Sequence, residues 1–510
     1  MTTTSENNKR IAKNTMFLYF RTLLVMFVTL YTSRVVLNTL GVEDFGIYNV
    51  VGGVVMMLSF LNSSMASAST RFITFELGTG NQELLKKVFS VSCTLHFLIA
   101  IICVLLLEII GVWFLNYKMN ITPDRMGAAN WVFQFAIFSF FVTIISVPYN
   151  AAIIAHEKMS AFAYISILEV SLKLFIVFLL NWIDFDKLKL YAVLMCLVSV
   201  LLRLIYSRYC KKHFEECRKH QFLFDGDLFK KMFGYVGWSL YIQLSYTSYL
   251  QGIGILLNLF FGVVANAARG IAVQIQHAVL QFITNFQMAA NPQIIKYYSQ
   301  KRNEEMFNLV FRSCKFSFFL LLMLCIPLQF YMDVVLRLWL KNVPDYAVLF
   351  SRLALVISLI NIITLPLQTI VQATGKLKIN SLLIGTCNLM ILPFSYLFLR
   401  MGNPPQTVYY VCIFFYVLVL VIRLYIGKRL VDLPVIRFLL KVLFPCMGIT
   451  LVSVIICYFV NIHMERDFIG LLCFSAVSTL LIGTLVFGVG FNKNERKVII
   501  RKISGKLRKQ

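Results

Sequence analysis

LNLFFGVVANAARGIAVQIQHAVLQFITNFQMAANPQIIKYY, residues 257–298, is long and apolar enough to cross a bilayer. Yet it carries Arg269, Gln274, Gln276, Gln281, Asn285, Gln287 and Asn291, polar groups that hydrocarbon cannot solvate. Gln276 follows Arg269 by seven residues and Gln287 follows it by eighteen. A helix of 3.6 residues per turn returns all three to nearly one face over about 27 Å of rise. A stripe of that length has two readings. It is a seam whose amides bond to neighbouring helices, or it lines a wet path for a solute.

Outward from this stretch the chain keeps the same character. Its 510 residues are 59% hydrophobic and 14% charged, with a mean hydropathy of +0.78, whereas soluble proteins carry about 25% charged residues. The expected fold class is therefore an all-α integral membrane protein with about fourteen transmembrane helices. A net charge of +25 would suggest nucleic acid in a soluble protein. Here Lys and Arg collect in alternate loops, among them Lys296 to Lys315 and Arg423 to Lys441, so no nucleic-acid partner is indicated. One side holds roughly thirty-three basic residues against about eight on the other, which places both termini in the cytoplasm.

Twelve cysteines scattered singly through apolar segments make neither a disulfide framework nor a zinc ribbon. Cys210, His213, Cys217 and His220 are spaced along one helical side, where a single straight helix closes a tetrahedron poorly. A solvated basic face is the plainer reading, and no metal or cofactor is expected. No phosphate-binding Gly loop, HExxH or GxSxG occurs, and the short loops leave no room for a catalytic domain, so a transporter is expected rather than an enzyme.

An internal repeat fixes the organisation. SVPYNAAIIAHEKM (146–159) matches TLPLQTIVQATGKL (364–377), LLKKVFSVSC (84–93) resembles MFNLVFRSC (306–314), and Leu37-Asn38 matches Leu257-Asn258. The offsets agree, so helices 1–6 correspond to helices 7–12 as parallel repeats. The expected division is a cytosolic N-terminus (1–11), an N-lobe (12–209), a basic cytosolic linker (210–228), a C-lobe (229–427), helices 13 and 14 (428–490) and a basic cytosolic tail (491–510). Two six-helix lobes in a V around a central cavity suit alternating access.

Charges within the apolar runs mark candidate sites, since each costs at least about 2.5 kcal/mol at mid-depth unless it meets water or a partner. Arg21 lies deep in helix 1, Arg34 either snorkels at the outer end or lines the path, and Arg71 follows the small polar run 62–70. Glu169 and Lys173 form an (i, i+4) pair that either neutralises itself or serves in ion coupling or gating, with H+ or Na+ as the coupling ion. Trp238, Tyr241 and Tyr249 recur on one face of helix 7, as packing residues or as rings on which sugars stack.

The opening segment NKRIAKNTMFLYFRTLLVMFVTLYTSRVVLNTLGVEDFGIYNV, the junction IIAHEKMSAFAYISILEVSLKL, and the stretch 257–298 resemble the Wzx-type polysaccharide flippases of the multidrug/oligosaccharidyl-lipid/polysaccharide exporters. The resemblance implies a flippase of the bacterial inner membrane. It would move undecaprenyl-pyrophosphate-linked oligosaccharide between leaflets for O-antigen and other surface polysaccharide, beside polymerase or ligase machinery and in contact with membrane lipids. It also implies that Arg21 or Arg34, Arg71 and Arg269 meet the pyrophosphate; from their own placement Gln276, Gln287 and the three aromatics are further candidate substrate contacts. The competing functions are a cation-coupled multidrug exporter, a lipid II flippase, and a membrane-embedded polysaccharide polymerase or ligase. The first needs acidic residues facing the path, and helix 1 has none in its span. The last needs a long outer loop, which is absent here.

Overall fold

The computed structural model describes residues 4–490 apart from 57, 120, 181, 184, 219–222 and 341; a few helix side chains, including that of Arg34, also lie outside the described residues. The expected basic tail 491–510 and His220 fall outside them too. Among the described residues there is no strand. In chain order the helices are α1 (Thr4–Met56), α2 (Ser59–Thr79), α3 (Gln82–Leu106), α4 (Val112–Lys118), α5 (Pro123–Ala155), α6 (Met159–Leu179), α7 (Lys187–His213) and α8 (Gly226–Ser299). They continue as α9 (Asn303–Trp339), α10 (Ala347–Thr374), α11 (Lys378–Arg400), α12 (Thr407–Val431), α13 (Val435–Phe438), α14 (Phe444–Ile462) and α15 (Phe468–Leu485).

Twelve of these helical segments are long and apolar enough to cross a membrane, which makes this a multi-pass membrane protein. Two more of the fourteen expected runs are also helical. One is the second half of α8, and the other is α2, whose Asn62 to Thr70 run lowers its hydropathy. Local chemistry sets the ends. Asn81 accepts from Leu84 N at 3.0 Å, Asp225 from Leu228 N at 2.9 Å and Asp467 from Gly470 N at 2.6 Å, each satisfying an orphan donor of a helix start.

The described chain forms two compact units: one takes in residues up to Gln243 together with Met288–Lys301, the other Leu244–Gln287 and the residues from Arg302 on. In the first, α5 packs on α7, α2 and α3, and α1 packs on α6. In the second, α10 packs on α12 and α9, α11 on α12, and α14 and α15 on α9. The helix α8 belongs to both, changing unit twice along its length.

The backbone carries the repeat more clearly than the side chains do. α1 breaks at Gly41 (φ 82, ψ 169) and α8 at Gly262 (φ 75, ψ −168), two glycines in the same rare conformation. Gly80 (φ 77) ends α2 as Lys301 (φ 56) follows α8, and Glu157 (φ 59) lies between α5 and α6 as Gly375 (φ 75) lies between α10 and α11. Pro148 and Pro366 sit inside the helices that precede the last pair. Three positive-φ pairs recur in chain order, and in two of them a side chain stands where the other copy has glycine. Such a residue is strained by about 1–3 kcal/mol unless its surroundings require it.

At one end of the first unit Arg125, opening α5, bridges two acids. Its Nε donates to Asp44 Oδ1 at 2.8 Å, its Nη2 to Asp44 Oδ2, and its Nη1 to Asp186 Oδ2 at 2.9 Å. Partial burial opposes ionisation of Asp186, but hydrogen bonds from Lys189 N and from Arg125 outweigh it and hold the carboxyl below its ordinary value. A folded-state value below the unfolded one adds stability above about pH 3.9, lost as pH falls below that through the folded value. Arg125→Met is therefore expected to cost about 1–2 kcal/mol at neutral pH and to flatten stability against pH in the acid range. Unfolding in detergent titrated from pH 7 to 3 checks both.

Candidate functional site

In the first unit two helices, α1 and α6, bring charge together. Lys173 Nζ donates to Glu169 Oε1 at 2.5 Å, and both side chains are 35% exposed. Arg21 from α1 lies with its guanidinium 4.5 Å from the centre of the Phe162 ring, with Tyr206 and Glu169 as its electrostatic neighbours. The seven- and four-residue steps from Phe162 to Glu169 to Lys173 place ring and ions along one side of α6, and α1 packs along that helix. Arg21 and Glu169, which the sequence left as separate candidates, are thus one cluster with two cations to one carboxylate.

Arg71 is buried, its guanidinium 4.5 Å from the Phe72 ring centre and 4.8 Å from that of Phe75. Tyr235, Glu76 and Tyr298 surround it electrostatically. It stands apart from Arg269 in having an acid nearby. Trp238 and Tyr241 are part-exposed members of the first unit, whereas Tyr249 belongs to the second and is 5% exposed. Its hydroxyl is 2.8 Å from that of Tyr416, so Tyr249 packs rather than waits for a ligand.

In the second unit the polar stripe of α8 resolves residue by residue. Gln276 Nε2 donates to Ser358 Oγ at 3.1 Å and to Ala354 O at 3.3 Å, and Gln287 Nε2 to Ser317 Oγ at 3.4 Å. These bonds to α10 and α9 are of the seam kind. Arg269 differs. Its Nη2 donates to the main-chain carbonyl of Leu250, and its electrostatic neighbours are Tyr409, Tyr249 and Cys412. Among the described residues no carboxylate is placed against it. Gly254 leaves the room: a Cβ there would stand 2.9 Å from Arg269 Nη1. A guanidinium with no carboxylate among its described neighbours has the chemistry to pair with an anion.

Two basic residues that charge counting placed in cytoplasmic loops lie elsewhere. Arg423 is buried inside α12, donating from Nη1 to Thr364 O at 2.5 Å and Oγ1 at 2.8 Å, and from Nη2 to Gln368 Oε1 at 3.0 Å. Lys315 is buried in α9 and donates to Gly490 O at 3.0 Å. Both lie near enough to helix ends for a linear reading to assign them to loops. The sequence also passed over Glu157, which is 3% exposed and meets side chains from two other helices. The one signal for it was position: it occupies a glycine site of the other repeat.

Around the Cys210 motif the helix ends at His213, and Glu215–Cys217 is a single 3-10 turn. His213 stacks on Tyr209, and Cys210 Sγ points to Tyr149 O at 3.4 Å. No group of three metal ligands forms among the described residues.

No family model and no curated protein matches this chain. Solved structures do. A multidrug resistance MATE family transporter of the MOP superfamily, in an outward-facing conformation, is similar with a TM-score of 0.70 at 14% identity, over 84% of this chain and 97% of that one. A MOP superfamily transporter from Pyrococcus furiosus, described as having a binding pocket of reverse polarity that suggests a different function, is similar with a TM-score of 0.70 at 14% identity, over 83% and 95%. A MATE structure in the bent conformation gives 0.74 at 14% identity, over 84% and 96%. At that identity the likeness establishes architecture: the chain has the fold of the MATE transporters of the MOP superfamily.

Proposed function

We propose that this protein is a flippase that moves a lipid-linked oligosaccharide with a pyrophosphate head across the bacterial inner membrane by alternating access. The observation that carries this reading is Arg269, a membrane-embedded guanidinium whose neighbours are a carbonyl, two tyrosines and a thiol, with no carboxylate among the described residues. A charge so placed is costly unless an anion completes it. Arg21 is a further cation in the first unit, where among the described residues one carboxylate, Glu169, stands against Arg21 and Lys173 together. Both clusters are net positive, which suits a pyrophosphate and disfavours a cationic drug.

The fold supports transport, and the paired glycine breaks support two units that move as copies of one design. The polyprenyl tail stays in the bilayer while the head follows the basic groups. With the cell interior negative, outward movement of an anion is favoured by about 2.3 kcal/mol per charge per 100 mV, so coupling to H+ or Na+ at Glu169 is not required. The multidrug reading draws on the MATE likeness and on Glu169, whose carboxylate is already bonded to Lys173.

Reconstitution in proteoliposomes tests the two directly. A fluorescent polyprenyl-pyrophosphate disaccharide is expected to become accessible to a membrane-impermeant quencher at a rate that follows protein content and an imposed potential. Accumulation of a lipophilic cationic dye against a Na+ or H+ gradient, with no movement of the labelled lipid, would overturn the flippase assignment in favour of drug export.

A further inference from the structure

Glu157 sits in the turn between α5 and α6 with a left-handed backbone, φ 59, and a side chain with no exposed surface. The other copy of the repeat has Gly375 there, φ 75, so the turn itself asks for glycine. A glutamate has been placed where its backbone is strained, and its partners say why. Gln293 Nε2 and Lys296 Nζ, both from the end of α8, reach Glu157 Oε1 at 2.6 Å and 2.8 Å. From the start of α1, Arg10 Nε is 2.7 Å from Oε2, and Asn14 Nδ2 donates to the Glu157 carbonyl at 3.0 Å.

The segment held this way is distinctive. Residues 288–299 of α8 belong to the first unit while 244–287 belong to the second. Pro292 lies just past that change, where it removes one rung of the helix ladder and weakens the helix at the crossing. Beyond it the helix end is close-packed on α2: a Cβ on Gly78 would fall 1.7 Å from Ser299 Oγ and 3.2 Å from Lys296 Cα, and the Phe75 and Tyr298 rings are 6.3 Å apart. Lys296 is 17% exposed and, among the described residues, its ion-pair partner is Glu157, so its place in the packing depends on that carboxylate.

We infer that Glu157 is an electrostatic latch that fastens the end of α8, beyond the Pro292 hinge, to the turn between α5 and α6, and that the latch must open in each transport cycle. The second half of this statement rests on the alternating-access reading above. The first half does not.

Hydrogen–deuterium exchange of the full-length protein in lipid nanodiscs reads the latch without substrate. Glu157→Gln is expected to speed exchange of amides 289–299 by at least about tenfold, with α11 unchanged, and the double swap Glu157→Lys with Lys296→Glu to return it toward wild type. Glu157→Gly removes the carboxylate while relieving the backbone, so it folds even if Glu157→Gln does not, and the same acceleration is expected. Unchanged exchange in Glu157→Gly overturns the latch.

Opening is read by a reducible bifunctional thiol reagent joining cysteines placed at 157 and 296, with the exposed Cys473 replaced by serine. Joined protein is expected to stop flipping the fluorescent polyprenyl-pyrophosphate disaccharide and to resume on reduction. Flipping at the unlinked rate overturns the opening step. Should neither form move the lipid, the flippase reading and the opening step fall together, while the exchange result still decides the latch.

Discussion

On the flippase reading proposed above, replacing Arg269 with alanine is expected to lower flipping of the labelled polyprenyl-pyrophosphate lipid by about 10- to 100-fold while leaving the protein folded. The magnitude follows from a hydrogen bond to a charged group, worth about 1.5–3 kcal/mol, lost from the bound head with nothing to replace it. The stability half follows from the partners. Leu250 is inside α8, so its carbonyl keeps a helical N–H when the guanidinium leaves. Tyr249 keeps its bond to Tyr416. Arg269→Lys retains the charge but not the planar fork, and is expected to lose about tenfold. Gly254→Leu leaves Arg269 in the chain and fills the space beside Nη1, so it is expected to reduce flipping without changing net charge. Quencher accessibility in proteoliposomes gives the rates, and detergent melting gives the stabilities. Wild-type rates in Arg269→Ala would return this residue to the seam formed by Gln276 and Gln287.

Much of the architecture was legible because a bilayer constrains a chain so strongly. Each membrane span must be apolar over about twenty residues, and the expected breaks near residues 40 and 260 fall at Gly41 and Gly262. The repeat was legible through Pro148 and Pro366, residues whose backbone effect survives divergence of their neighbours. Sites were harder, for a physical reason. Spacing places a residue on a face but does not say what that face meets. Gln276, Gln287 and Arg269 share a face, yet two meet hydroxyls on neighbouring helices while the third meets a main-chain carbonyl, its guanidinium filling the space a side chain at Gly254 would take. Counting charge by distance from a helix end misplaced Arg423 and Lys315, because long side chains near an end are as able to turn inward to carbonyls as outward to water. Glu157 was invisible in that count since its meaning lies in a backbone conformation shared with a glycine 218 positions away.

Gly262→Ala is expected to cost about 2–3 kcal/mol, and valine more, although the added methyl meets nothing. No atom lies within 4 Å of a Cβ built at Gly262 or at Gly41, so crowding by neighbours is not the cause. The cause is the backbone. With φ near +75 and ψ near −168, Gly262 occupies a region that L side chains all but exclude. Straightening the helix offers no escape: the 74 residues of α8 in one unbroken helix would be about 111 Å long, several times the roughly 30 Å hydrocarbon core. The chain must turn back, and it does so seven residues before Arg269, two turns of helix that fix where the guanidinium points. Gly41→Ala carries the same penalty in the first repeat. Gly46→Ala is the control, since Gly46 is helical, lies in open space and lacks a positive φ, so alanine there is expected to add about 0.5–1 kcal/mol. Equal stabilities for the alanine variants at 46 and 262 in detergent unfolding would show that the break tolerates a side chain, and the glycine pair would then owe its recurrence to something other than backbone geometry.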